Sequence, residues 1–172
     1  MGMSAEDFEQ LVYLKQARKD AERNYGDYPN DAANLTRWGA VLLDLTQFQT
    51  DAESKNLILD GISKLEEALS INPEMHDVIW CLGSGHMMHG LLIPDYNVAR
   101  DYFDRAAEDY QQAVEKDPGN QKYLHSSIKI AEASKFHAEM YKHGVAQHAA
   151  AGAGSGSSNS SAKVNNKTGK TL

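Results

Sequence analysis

The sequence is poor in the residues that define several classes of protein. It has one cysteine, Cys81, and four prolines among 172 residues, which excludes a disulfide scaffold and a cysteine-rich zinc module. It contains no apolar run near the roughly 20 residues that cross a bilayer. Residues 1–10 are acidic and lack an apolar stretch, so we expect no secretory signal peptide.

Charge is spread unevenly along the chain. The net charge is −7, but residues 144–172 hold three lysines and no acid, so residues 1–143 carry net −10. An acidic body argues against nucleic-acid binding, because phosphates dominate that interaction. It is compatible with a basic partner such as a cationic peptide, although an acidic surface also serves solubility alone.

Two regions differ in composition. Residues 146–172 consist mostly of small and polar residues, which bury too little apolar surface to offset the entropy of ordering. We therefore predict a globular domain over residues 1–145, followed by a disordered linker over residues 146–172.

The globular region shows helical periodicity throughout, and no useful stretch alternates with period two. Helices are separated by turn signals such as Asn72-Pro73 and Asp117-Pro118-Gly119. We predict an all-α fold of about six helices with short loops. The predicted helices cover residues 4–25, 31–46, 54–71, 75–92, 96–116 and 120–143.

An internal repeat carries most of the information. The pattern of Leu35, Trp38, Gly39 and Leu42 recurs with identical spacing at Ile79, Leu82, Gly83 and His86. The pattern of Gly61, Leu65 and Ala68 recurs at Ala106, Tyr110 and Ala113, and a proline follows each set. These positions fit the tetratricopeptide signature, in which small residues let two paired helices approach closely and proline ends the second helix.

The repeat is longer than the usual one. The two glycines, Gly39 and Gly83, lie 44 residues apart, against an ordinary period of about 34. The extra residues fall near Gln47–Asn56 and Gly90–Val98, where they lengthen either helices or loops. We interpret Gln121–His143 as a capping helix, and residues 4–25 as a cap at the other end.

Several segments resemble one known family. They are Asn34–Gly39, Ser63–Leu69, Ile71–Pro73, Trp80–Gly83, Tyr110–Val114 and His137–Gly144. In this order, and with the stretched repeats, residues 6–145 resemble the plant-type twenty-kilodalton receptor subunit of the translocase of the outer mitochondrial membrane (the TOM complex). The fold implied is an array of tetratricopeptide-like helical hairpins.

The resemblance also implies a function. Such receptors face the cytosol from the mitochondrial outer membrane, bind the presequences of precursor proteins and pass them to the other TOM subunits. A C-terminal membrane anchor follows a flexible linker in plant-type members, so we expect that an anchor follows Leu172 in the natural protein. A soluble protein is the alternative.

A presequence is an amphipathic helix that needs an apolar groove with a polar rim. In a helical-hairpin array, the first helix of each repeat lines the concave face. The spacing places nine residues there as candidates for peptide binding: Thr36, Ala40, Leu43, Asp44, Asp77, Trp80, Ser84, Met87 and Met88. Asp44, Asp77 and Glu132 are candidates for an acidic rim. Residues such as Trp80, Met87 and Met88 at helical spacing more often belong to the core than to a site, and a plain solvated face is the commoner setting for Asp44 and Asp77.

No catalytic motif, metal site or cofactor site is predicted. His86 and His89 lie one helical turn apart, but Cys81 falls on another face and no second ligand pair is present. The chain has no phosphate loop, G-x-S-x-G or H-E-x-x-H motif, so we predict no enzyme. The competing functions are a soluble tetratricopeptide scaffold or adaptor for a protein partner, and a helical assembly subunit.

Overall fold

The structure, a computed structural model, describes residues 2–153, with side chains described to Lys142. Within this range the chain is helical and has no strand. The helices are α1 (Ala5–Asp27), α2 (Ala32–Leu45), α3 (Asp51–Ile71), α4 (His76–Leu92), α5 (Tyr96–Lys116) and α6 (Gln121–Ala153). The predicted all-α hairpin array is therefore confirmed.

Side chains in the sequence fix where helices begin. Ser4 and Asp7 form a reciprocal capping box at the start of α1, with Asp7 N donating to Ser4 Oγ over 3.1 Å. Asp31 caps α2 by accepting a hydrogen bond from Asn34 N over 3.1 Å. Asp95 caps α5 in the same way through Asn97 N at 2.9 Å.

The helices form two layers. Each helix packs on the next one in the chain, and α2 also contacts α4, which contacts α6. In the described part of the chain, α3 and α5 share few contacts. The layer of α2, α4 and α6 is therefore the tighter, concave side of the array, which we call the inner face.

Close approach within each hairpin depends on the repeated glycines. A Cβ atom on Gly39 would lie 2.6 Å from Leu65 Cγ and 3.0 Å from the Gly61 carbonyl oxygen. A Cβ atom on Gly83 would lie 2.9 Å from the Tyr110 ring. Leu65 and Tyr110 are fully buried, so the roles predicted for these signature positions are confirmed.

The extra residues of each repeat mainly lengthen helices. Both α3 and α5 have 21 residues. Between α2 and α3 the chain makes a short 3₁₀ turn, Thr46–Phe48, which Ser54 fastens by donating to the Thr46 carbonyl over 3.1 Å. The connection between α4 and α5 spans only residues 93–95.

The last helix extends further than the sequence predicts. α6 continues to Ala153, past the predicted end at residue 143. Residues 154–172, most of the predicted linker, lie outside the described residues, so the linker stays a prediction. None of the described helices combines the length and hydrophobicity needed to cross a bilayer.

Candidate functional site

The inner face is built from one row of side chains on each of three helices. On each helix these residues recur at intervals of three and four, so they share one side. The row on α2 is Arg37, Ala40 and Asp44; on α4 it is Asp77, Cys81, Ser84, Met88 and Leu91; on α6 it is Lys122, Ser126, Lys129, Ala133, Phe136 and Met140.

Three hydrogen bonds fasten α6 alongside α4. Trp80 Nε1 donates to Ser126 Oγ over 2.9 Å near the start of the two helices. His76 Nδ1 and the Tyr123 hydroxyl are 2.8 Å apart. Further along, His137 Nε2 lies 2.6 Å from the Ile93 carbonyl oxygen. The two helices therefore run parallel, and both contribute to one continuous surface.

The residues of α2 that the sequence predicts for peptide binding differ in how exposed they are. Asp44 is exposed on the inner face, and Ala40 is half-buried beside it. Thr36 is half-buried and its hydroxyl donates to the Ala32 carbonyl over 2.8 Å, so it satisfies its own helix. Leu43 is only 4% exposed and belongs to the core between α2, α3 and α4. Leu43 therefore does not face the groove, contrary to the sequence-based expectation.

The predicted residues of α4 lie on or beside the inner face. Asp77 is exposed, and Ser84 shares a hydrogen bond of 3.0 Å with the Tyr110 hydroxyl. Trp80 is half-buried because α6 packs against it, with Lys122 Nζ 4.0 Å from the centre of its ring. Met87 packs on the cluster that contains Ile130, and Met88 packs on the core of the first repeat.

Sequence reasoning missed the apolar residues at the far end of the inner face. Leu91 is 43% exposed, Phe136 is 60% exposed and Met140 is 59% exposed. The sequence does carry a signal for the α6 pair, because Phe136 and Met140 continue the row of Ser126 and Ala133. A capping helix is recognised by its buried side, and Phe136 and Met140 lie outside that side.

Charges converge near the centre of the inner face, around Cys81. The pKa of the Cys81 thiol is raised to about 11, mainly by burial and also by the charges of Asp44 and Asp77, with Lys122 acting in the opposite direction. The thiol is therefore protonated and unreactive at neutral pH. Desolvation by the neighbouring protein also raises the pKa of the Asp44 carboxyl, although the residue as a whole is exposed.

The two histidines with metal-ligand spacing are used in packing. His86 Nδ1 lies 2.8 Å from Asp109 Oδ2, which links α4 to α5. The ring of His89 lies 4.3 Å from that of Tyr102, centre to centre. The structure therefore gives both side chains a role between α4 and α5.

A separate depression lies between α1 and α2. It encloses about 450 Å³ and is lined mainly by polar side chains, among them Gln16, Asp20 and Asn24. Asn24 Nδ2 donates to Asp31 over 3.1 Å, and the hydrogen bonds from Asn34 N and Asn24 lower the pKa of the Asp31 carboxyl. These groups stabilise the start of α2.

Comparison with known proteins agrees with this architecture. The family model for the plant-specific mitochondrial import receptor subunit TOM20 matches residues 8–171. The chain belongs to this family.

Relatives in Arabidopsis thaliana match over most of the chain. Mitochondrial import receptor subunit TOM20-3 is 42% identical over 139 residues, which are 81% of this chain and 69% of that protein. Mitochondrial import receptor subunit TOM20-2 is 40% identical over 147 residues, 86% of this chain and 70% of that protein. The resemblance drawn from the repeat segments is therefore confirmed.

Proposed function

We propose that this chain is a mitochondrial import receptor that binds amphipathic helical presequences of precursor proteins on its inner face. Membership of the plant-specific TOM20 family over residues 8–171 carries the proposal. The receptor sits at the mitochondrial outer membrane, faces the cytosol and passes precursors to other TOM subunits. The function requires no catalytic step.

The inner face has the chemistry that such a peptide requires. A presequence presents one apolar and one basic side, so it needs apolar contact flanked by acids. Small and adaptable side chains, Ala40, Ser84 and Met88, lie along the face, and the carboxylates of Asp44 and Asp77 are exposed beside them. Methionine repacks around different shapes, which suits a receptor for many precursors.

Binding of this kind is weak. A presequence that is disordered in water loses conformational entropy when it folds on the receptor, which offsets part of the contact energy. We expect dissociation constants on the order of micromolar or higher. Weak binding also permits release to the translocase.

A charge-matched pair of variants tests the acidic contribution. Asp44→Asn/Asp77→Asn removes two acids from the inner face, whereas Asp60→Asn/Asp101→Asn removes two exposed acids from α3 and α5. Both variants change net charge equally. Because each exposed ion pair is worth up to about 1 kcal/mol, we expect the inner-face variant to bind a fluorescent presequence roughly three- to tenfold more weakly.

The α3 and α5 variant should bind like the unmodified chain in the same anisotropy titration. Equal weakening of both variants would mean that overall charge attracts the peptide without a defined site. Unchanged binding in the inner-face variant would remove Asp44 and Asp77 from the site.

A further inference from the structure

An exposed apolar patch joins the ends of α4 and α6. We define the α4–α6 patch as Met88, Leu91, Phe136 and Met140. Phe136 and Met140 are about three-fifths exposed, and Leu91 is 43% exposed. Exposed aromatic and aliphatic side chains that share one face mark binding surfaces more often than scattered ones do.

The register of the two helices brings these residues to one end. Trp80 is bonded to Ser126, and Ile93 is bonded to His137. Since the helices run parallel between these two fastenings, Leu91 lies level with Phe136. The described contacts of the fold leave the patch uncovered: the buried side of α6 is formed by Tyr123, Ile130 and His137.

Acids flank the patch on both sides. Asp44 on α2 lies close enough to Cys81, two helical turns before Met88 on α4, for its charge to act on that thiol, and Glu132 and Glu139 lie one helical turn before and after Phe136 on α6. The basic residues on the same row, Lys122 and Lys129, lie four and two turns before Phe136. An apolar strip between carboxylates complements a helix that is apolar on one side and basic along its edges.

We propose that the α4–α6 patch holds the apolar side of a cationic amphipathic helix, so that α6 is a wall of the binding site as well as a cap. This inference rests on the proposed function, because the occupant is the presequence. It makes Phe136 and Met140 determinants of affinity for apolar residues in the peptide. α6 lies outside the two tetratricopeptide hairpins, which is why repeat spacing alone does not point to it.

Serine substitutions on α6 and on α1 test this inference. Phe136→Ser/Met140→Ser removes apolar surface from the patch, and Phe8→Ser/Val12→Ser removes a matched pair of exposed apolar side chains from α1, where Phe8 is 60% exposed and Val12 is 51% exposed. All four positions are exposed, so thermal unfolding should stay unchanged. Losing the contacts of Phe136 and Met140 should weaken presequence binding at least tenfold, and the α1 variant should bind like the unmodified chain.

Methyl signals provide an independent readout in the unmodified chain. With ¹³C-methyl methionine, titration of a presequence peptide should shift or broaden the Met88 and Met140 signals. Met3, which is 52% exposed at the start of the chain, is the matched control and should stay in place.

The outcomes separate the two proposals. Saturable binding with an unaffected Met140 signal and unchanged affinity in Phe136→Ser/Met140→Ser overturns the role of the patch and keeps the receptor function. Equal weakening by Phe8→Ser/Val12→Ser also overturns the role of the patch, because it would mean that exposed apolar surface elsewhere on the chain attracts the peptide equally. An unmodified chain that binds no presequence overturns both.

Discussion

At the scale of single residues, the glycines of the repeat set the distance between paired helices. Gly39 faces Leu65 and Gly61 so closely that no added methyl group fits without movement. Gly26 also lies in a helix, but nothing lies within 4 Å of the Cβ position there. The same substitution should therefore have opposite effects at the two sites.

Gly39→Ala should lower the free energy of unfolding by about 1–3 kcal/mol, because the core must move to accept the methyl group. Gly26→Ala should raise it by about 0.5–1 kcal/mol, since alanine loses less backbone entropy in a helix. Urea titration followed by circular dichroism measures both. A Gly39→Ala protein as stable as the unmodified chain would mean that α2 and α3 are further apart than the structure shows.

We predict that the stability of the fold depends on pH because of the buried His89 side chain. Burial is the main cause that lowers the pKa of His89, and the nearby charges of Lys55 and His86 lower it further. Below about pH 6.5 the unfolded chain therefore takes up a proton that the folded chain resists, so stability is lost as the pH falls.

His89→Phe keeps the contact with Tyr102 and removes this titration. The melting temperature of the variant should fall less than that of the unmodified chain between about pH 7 and pH 5. Differential scanning fluorimetry across that range gives the comparison. Parallel curves for the two proteins would show that the folded state does not resist protonation of His89.

At the scale of elements, α6 is the part whose role differs most from the sequence-based interpretation. The sequence predicts the helix itself, because Tyr123, Leu124 and Ala131 recur at helical spacing. It does not predict the hydrogen bonds from α4 to Ser126, Tyr123 and His137, because these join residues more than 40 positions apart. Only tertiary structure shows that α6 extends the inner face.

Removing the hydrogen bond between His76 and Tyr123 should weaken the packing of α6 more than that of the other helices. Tyr123→Phe deletes the hydroxyl that lies 2.8 Å from His76 Nδ1 and keeps the buried ring. We expect a loss of about 1 kcal/mol in stability, and faster amide exchange in α6 than in α2 and α3. Hydrogen exchange followed by mass spectrometry compares these helices. Equal acceleration in all helices would indicate that α6 and the first repeat open as one unit.

Helical periodicity also does not decide which of two neighbouring residues at the edge of a helix face is buried. The sequence places Leu43 and Asp44 together, yet Leu43 is buried and Asp44 is exposed. Neighbouring residues differ by about 100° around a helix, so one position can face the adjacent helix while the next faces solvent. The equivalent pair in the second repeat, Met87 and Met88, shows a milder form of this difference, because both are half-buried.

At the scale of the whole molecule, the fold was largely predictable, whereas the inner face proposed as the binding surface was only partly so. The matched glycines, small residues and prolines indicate how the two helices of one hairpin pack. Because this packing repeats along the array, the sequence predicts it. Asp44, Asp77 and Met88 lie on the inner face, as the repeat spacing predicts, and their role in peptide binding stays a prediction. Phe136 and Met140 were missed because they lie outside the repeats.

The molecule also combines an acidic globular region with exposed apolar side chains on its inner face. Residues 1–143 carry net −10, so a cationic peptide is attracted from any direction. Long-range attraction is screened by salt, whereas apolar contact is not. The central claim is therefore that the inner face recognises the apolar side of the presequence, beyond its charge.

The most direct test is a titration of the unmodified chain with two labelled presequence peptides of equal charge. One has its natural apolar side, and the other has that side changed to serine. At physiological ionic strength the first should bind saturably with a dissociation constant on the order of micromolar, and the second should show no saturable binding. Equal binding of both peptides, or binding of neither, would contradict recognition of the apolar side by the inner face.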